Sequence, residues 1–221
     1  MRVHAGARVK VGVSAAALLL LAVALAAQAP QAPRVTYARS FEGSVPAFFQ
    51  IEVSRDGRAA YQAREKNGDP LTLLNFTASP AAVQEIFSTA AALHDFSTPQ
   101  LQSKRNVAYT GDKMLAFDGA GHHTSQQFTF TANKAAGKLV SLFEAISVTG
   151  MDAIQLRRAL QFQPLDVLQI MNQIQDDWSS QQMAEPQLLA PVLAAAASNS
   201  GVMTAAQVRA EKLLQEFAKN H

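Results

Sequence analysis

The stretch Phe49-Gln50-Ile51-Glu52-Val53-Ser54-Arg55-Asp56-Gly57-Arg58-Ala59-Ala60-Tyr61-Gln62-Ala63-Arg64 decides the fold. Phe49, Ile51 and Val53 alternate with Gln50, Glu52 and Ser54, and Ala59, Tyr61 and Ala63 alternate with Gln62 and Arg64. A period of two places the apolar set on one face of a strand and the polar set on the other. Asp56-Gly57 sits between the two runs, and glycine takes the positive φ that a tight turn needs. The spacing predicts a β-hairpin.

Toward the C-terminus, Asn67-Gly68 makes a second turn of the same kind and leads to an apolar segment from Leu71 to Phe76. At Ser79 the period changes. Ser79 is a helix cap, Pro80 fits the first turn, and Val83, Ile86, Phe87, Ala90 and Leu93 recur on one helical face. Strand character returns at Val107 and Tyr109, at Leu115 and Phe117, and at Phe128 and Phe130, with Gly111, Asp118, Gly119 and Gly121 between them. This spacing predicts a second antiparallel meander, with Val107 and Leu115 on paired strands. After Asn133 the pattern is helical. Leu139, Leu142, Phe143 and Ile146 form a stripe, Ile154, Leu156 and Leu160 follow Gly150, and Pro164 opens a helix carrying Leu168, Met171, Ile174 and Trp178. Pro186 and Pro191 bracket a short apolar stretch. Thr204 and Gln207 have capping-box spacing ahead of Ala210, Leu213, Leu214 and Phe217. The predicted class is α+β: an antiparallel sheet with one packed helix over residues 34–131, then a C-terminal helical array over residues 132–221.

Toward the N-terminus, Arg2, Arg8 and Lys10 precede an uncharged apolar run from Val11 to Ala27. That is the layout of a secretory signal, with Ala22, Ala24, Ala26 and Ala27 suited to the peptidase and the cut expected after Ala26 or Ala27. Residues 1–27 are thus expected to be a signal peptide and the protein periplasmic or secreted. The competing reading is a retained anchor, in which case this segment is the protein's one contact with the membrane; a span takes roughly 20 apolar residues, usually less alanine-rich than these. The whole chain carries 19 basic and 17 acidic residues and a pI near 9.0. Three of the basic residues belong to the signal, so the remainder holds 16 against 17 and is close to neutral. Nucleic acid is therefore not an expected partner. With no cysteine in the chain, disulfides, thiolate nucleophiles, thiolate metal sites and lipoprotein-type acylation are all excluded.

Candidate chemistry is sparse. His122 and His123, with Asp118 nearby, are the residue types of a zinc or copper site, but neighbours on a strand face opposite ways and neither His94 nor His221 lies near them in sequence. No metal or cofactor is assigned. Lys104 and Arg105, with Lys113 beyond the next turn, are the candidate binding residues: across a hairpin they would form a small cationic patch for an anionic group or an acidic partner surface. The plainer reading is a solvated turn. Ser40, Ser44 and Ser103 sit in no nucleophile elbow, and Glu42, Glu52 and Glu65 read as the polar face of a sheet. Phosphate-loop and dinucleotide fingerprints are absent, and no catalytic residue is assigned.

The segment Val45-Pro46-Ala47-Phe48-Phe49 running into Asp56-Gly57-Arg58-Ala59-Ala60-Tyr61, and the later Ser103-Lys104-Arg105-Asn106-Val107-Ala108, are similar to exported proteins of unknown function from soil bacteria of the acidobacterial type. The hairpin also resembles small bacterial domains with a Pro-x-Phe or Pro-x-Tyr strand followed by an Asp-Gly turn. The resemblance implies export and a shared fold, and it brings no catalytic residue. The expectation for function is a non-enzymatic binding protein of the cell envelope whose partner is another envelope protein or a peptide. The alternative is a periplasmic hydrolase using carboxylates or His122 in a cleft between sheet and helices.

Overall fold

A computed structural model describes residues 32–98, 100–119 and 121–219. The expected signal segment lies outside the described residues. Six strands, β1 (Arg34–Ser40), β2 (Phe48–Ser54), β3 (Arg58–Arg64), β4 (Thr72–Thr77), β5 (Asp112–Gly119) and β6 (His122–Phe128), form one antiparallel sheet in the order β4-β3-β2-β1-β5-β6. The hairpin read from the alternation is β2–β3, with Gly57 at φ 87° in its turn. Its apolar face continues across the whole sheet: Leu74, Tyr61, Ile51, Tyr37 and Leu115 stand opposite one another in a single row, all buried. Each such side chain removed from water contributes roughly 1.5–3 kcal/mol before ordering entropy is charged against it.

Helices cover this face. In α1 (Pro80–Ala92) the Ser79 hydroxyl accepts the Ala82 N–H at 3.2 Å, while Ile86, Phe87 and Ala90 turn inward. In α2 (Lys134–Phe162) the Asn133 side chain accepts the N–H groups of Ala135 and Ala136, and Leu139, Phe143 and Ile146 are fully buried. The ring of Phe143 stacks on that of Tyr37 at 5.3 Å. This helix runs unbroken through Gly150, whose missing side chain makes room for the Tyr61 ring. By length and hydropathy α2 could cross a membrane, but most of its apolar window is core. Then come α3 (Val167–Ser179), a 3-10 turn Pro186–Leu189, α4 (Ala190–Ala197) and α5 (Thr204–Lys219).

A single hydrophobic cluster runs from Val35 to Phe217, so the change near residue 132 marks a change of secondary structure within one body rather than a boundary between bodies. Polar ties reinforce it. Glu185, itself buried, accepts the Ser79 N–H at 2.6 Å and the Ser79 hydroxyl at 2.7 Å, fastening the helical half to the start of α1.

Three local expectations are corrected. Val107 and Tyr109 lie in an exposed loop, not a strand, and Leu115 pairs instead with Tyr37 and Gln126. The reason is geometric: β5 has β1 on one side and β6 on the other, leaving no edge for a further strand. For the same reason the described strands form one sheet and not two meanders, because β5 returns to the N-terminal strand and enlarges the first sheet. Finally, Thr204 is the first residue of α5 and the Met203 carbonyl accepts the Ala206 and Gln207 N–H groups, while the Gln207 side-chain amide donates to the Asn199 carbonyl of the preceding loop at 2.7 Å.

Candidate binding groove

Between α1 and the β2–β3 turn lies an open groove of about 700 Å³. Pro80, Val83, Phe87 and Ala91 supply an apolar wall at helical spacing, while Arg55, Asp56 and Gly57 supply the opposite rim. The turn is held close to the β4–α1 junction because the Ala78 N–H donates to the Gly57 carbonyl at 2.8 Å. A side chain at position 57 would have to adopt a positive φ, which is why glycine stands there; the space beside Ala78 and Thr77 would itself admit a Cβ.

The rim is charged on one side only. Asp56 accepts from the Arg58 backbone at 3.2 Å and from its Nε at 2.8 Å, and these bonds hold its carboxyl below the usual carboxylate range. Arg55 is different: its guanidinium lies 4.5 Å above the centre of the Phe87 ring, and among the described residues no carboxylate forms an ion pair with it. An apolar trough beside an unneutralised cation suits a ligand with an apolar side chain next to an acidic group. Sequence reading missed Arg55 because, next to Asp-Gly, it looks like an ordinary turn charge. Val83 and Phe87 were legible, but only as part of a core-facing stripe, and Ala91 lies outside that stripe.

The expected cationic patch is divided. Lys113 is buried at a core-face position of β5, where its ammonium donates to Thr110 O at 3.1 Å, Thr110 Oγ1 at 2.8 Å, Gly111 O at 3.4 Å and Thr129 O at 3.1 Å. Burial, aided by Arg39, lowers its pKa, and Glu144 opposes the shift. The ammonium is committed to fastening the loop before β5. Lys104 and Arg105 are exposed on that loop.

The candidate catalytic groups do not converge. Strand parity puts Asp118 on the open face of the sheet, bonded to Arg34 at 2.7 Å, while His122 shares the helix side with Thr124. His122 stacks on Phe117 at 5.3 Å, and the carboxylate nearest it is Asp95, at 3.7 Å. Asp95 belongs to a turn in which His94, Asp95 and Phe96 all have positive φ, held by bonds from Thr124 Oγ1 to Asp95 O and from Gln126 Nε2 to Phe96 O. Glu52 is paired with Arg34 and Glu65 with Arg158, and Glu42 is in an exposed turn. Among the described residues no group of three His, Asp or Glu side chains could hold a metal ion. The chain matches no protein-family model and no curated protein.

Proposed function

We propose that this is an exported, non-enzymatic binding protein of the bacterial cell envelope, periplasmic or secreted, that holds a peptide segment of another envelope protein in the groove beside α1. The observation carrying this reading is the groove itself: an apolar wall of Val83, Phe87 and Ala91 faces Arg55, a cation with no ion-pair partner among the described residues. The segment it fits carries a bulky apolar residue for the trough and a neighbouring carboxylate for Arg55. Export rests on the basic, then apolar, then small-residue order of residues 2–27 and on the likeness to exported acidobacterial-type proteins.

The test is photo-crosslinking in intact cells from a reactive residue placed at Ser88, on the exposed rim. A discrete crosslinked partner is expected, lost in Arg55→Glu and in Val83→Asp and retained in Lys104→Glu. A crosslinking pattern indifferent to Arg55 and Val83, or no discrete partner, refutes the groove as the binding site. Cell fractionation with N-terminal sequencing tests export: a mature start at Ala27 or Gln28 is expected, and an intact N-terminus on a cytoplasmic protein refutes it.

A further inference from the structure

We infer that β4 is a self-association edge, through which two copies of this chain join their sheets about a twofold axis. Among the described residues, β4 has β3 on one side and no strand on the other. The direction of its free groups follows from register. The Ala78 N–H donates to Gly57 O, so hydrogen-bonded pairs recur at Ala59/Phe76, Tyr61/Leu74 and Ala63/Thr72. The N–H and C=O groups of Leu73 and Asn75 therefore point away from β3. Thr77 has the same parity, and its carbonyl is already taken by Gln187 Nε2 at 3.1 Å.

Edges of this kind are ordinarily protected by lysine, proline or an inward charge. Within β4 itself there is none: no charged residue occurs from Pro70 to Gln84, and Leu71 and Leu73 are 46% and 55% exposed, while the turn Pro186–Leu189 packs on the strand and covers its Thr77 end. A second copy is the occupant that fits, because the strand is complementary to itself. With the axis at Leu74, Leu73 stands opposite Asn75 of the second copy and Thr72 opposite Phe76, an aromatic and β-branched pair of the favourable kind. Leu74 meets Leu74. No like charges are opposed, the outward donors and acceptors of Leu73 and Asn75 are exchanged, and the interface is closed and isologous. Moving the axis to Asn75 would require the Thr77 carbonyl that Gln187 occupies.

Sedimentation velocity of the purified protein across a dilution series tests this. A reversible dimer is expected. Leu73→Lys sets two cations near the axis and should weaken the dimer by at least about tenfold. Asn75→Pro removes an outward N–H that the monomer does not use, and should abolish it while circular dichroism stays native. Register is read separately: the chain has no cysteine, so Leu74→Cys introduces one thiol, which at a non-hydrogen-bonded position on the axis should oxidise to a covalent dimer. Thr72→Cys should not. A monomer at every concentration overturns the proposal, and so does a dimer unaffected by both edge variants.

Discussion

Gly137 and Gly150 both lie inside α2, and local propensity treats them alike: alanine in place of a helical glycine stabilises by roughly 0.5–1 kcal/mol. Their surroundings give opposite signs. A Cβ on Gly137 would meet no described atom within 4 Å beyond its own stretch of helix, whereas one on Gly150 falls 2.6 Å from two atoms of the Tyr61 ring and 2.8 Å from a third. Tyr61 cannot swing clear. It is fully buried in the central row of the sheet, and its hydroxyl lies 3.3 Å from Ser147 Oγ on the same helix. Overpacking of this kind costs roughly 1–3 kcal/mol. Set against the propensity gain, Gly150→Ala should lose up to about 2.5 kcal/mol, while Gly137→Ala should gain about 0.5–1. At this chain length Gly150→Ala should melt up to roughly 10 °C lower than the parent protein. Urea unfolding of both variants, with equal m-values, is the assay. A second arm isolates the contact: with Tyr61→Ala in the background, the penalty at Gly150 should vanish, since the clashing ring is gone. If Gly150→Ala stabilises as much as Gly137→Ala, the close approach of helix and sheet at Tyr61 is refuted.

Two further outcomes concern buried carboxyls. Glu185→Ala deletes an acceptor of the Ser79 N–H, the Ser79 hydroxyl and, at 2.5 Å, Gln187 Nε2; it should cost about 2–4 kcal/mol in urea unfolding and speed hydrogen exchange at the start of α1. Asp152 is 6% exposed and its Oδ2 has no hydrogen-bond partner among the described residues; burial, then Asp177, push its pKa up to about 7 from 3.8. Because the folded state keeps this proton after the unfolded chain has lost it, the group is neutral to stability below about pH 4 and increasingly unfavourable as pH rises to 7. Asp152→Asn should therefore be more stable than the parent at pH 8, by at most about 4 kcal/mol, with the difference closing toward pH 4; a gain independent of pH would refute the assignment.

What was legible in the sequence is what depends on near neighbours. The β2–β3 hairpin shows in six alternating apolar residues and one Asp-Gly; the cap at Ser79 and the change at Asn133 show in single turns of chain. The strand that centres the sheet is less visible. In β1, Val35 and Tyr37 face the helices, but the next position on that face is Arg39, which breaks the alternation a reader looks for. Lys113 does the same in β5. The candidate site suffers from a related difficulty, since Arg55 and Phe87 are on different elements and only the return of the chain through β3 and β4 sets one above the other.

Arg39, with two further polar ties, explains how the two halves are held in one register. Arg39 reaches Glu144 at 2.7 Å and Tyr37 donates to the same carboxylate at 2.7 Å, from the middle of the sheet to α2. Arg158 meets Glu65 at 2.6 Å near the end of β3. Glu185 grips Ser79 where α1 begins. Apolar packing alone tolerates small slides of a helix along a sheet, because one aliphatic contact substitutes for another at little cost. A carboxylate does not have that freedom, since losing its donor in a half-buried setting leaves an uncompensated charge. Three such ties, at separate points along α1 and α2, specify where the helices sit on a face that hydrophobicity only requires them to cover. The groove depends on that placement, because its apolar wall is α1, its rim is the β2–β3 turn, and Glu185 holds the N-terminus of α1 beside that turn.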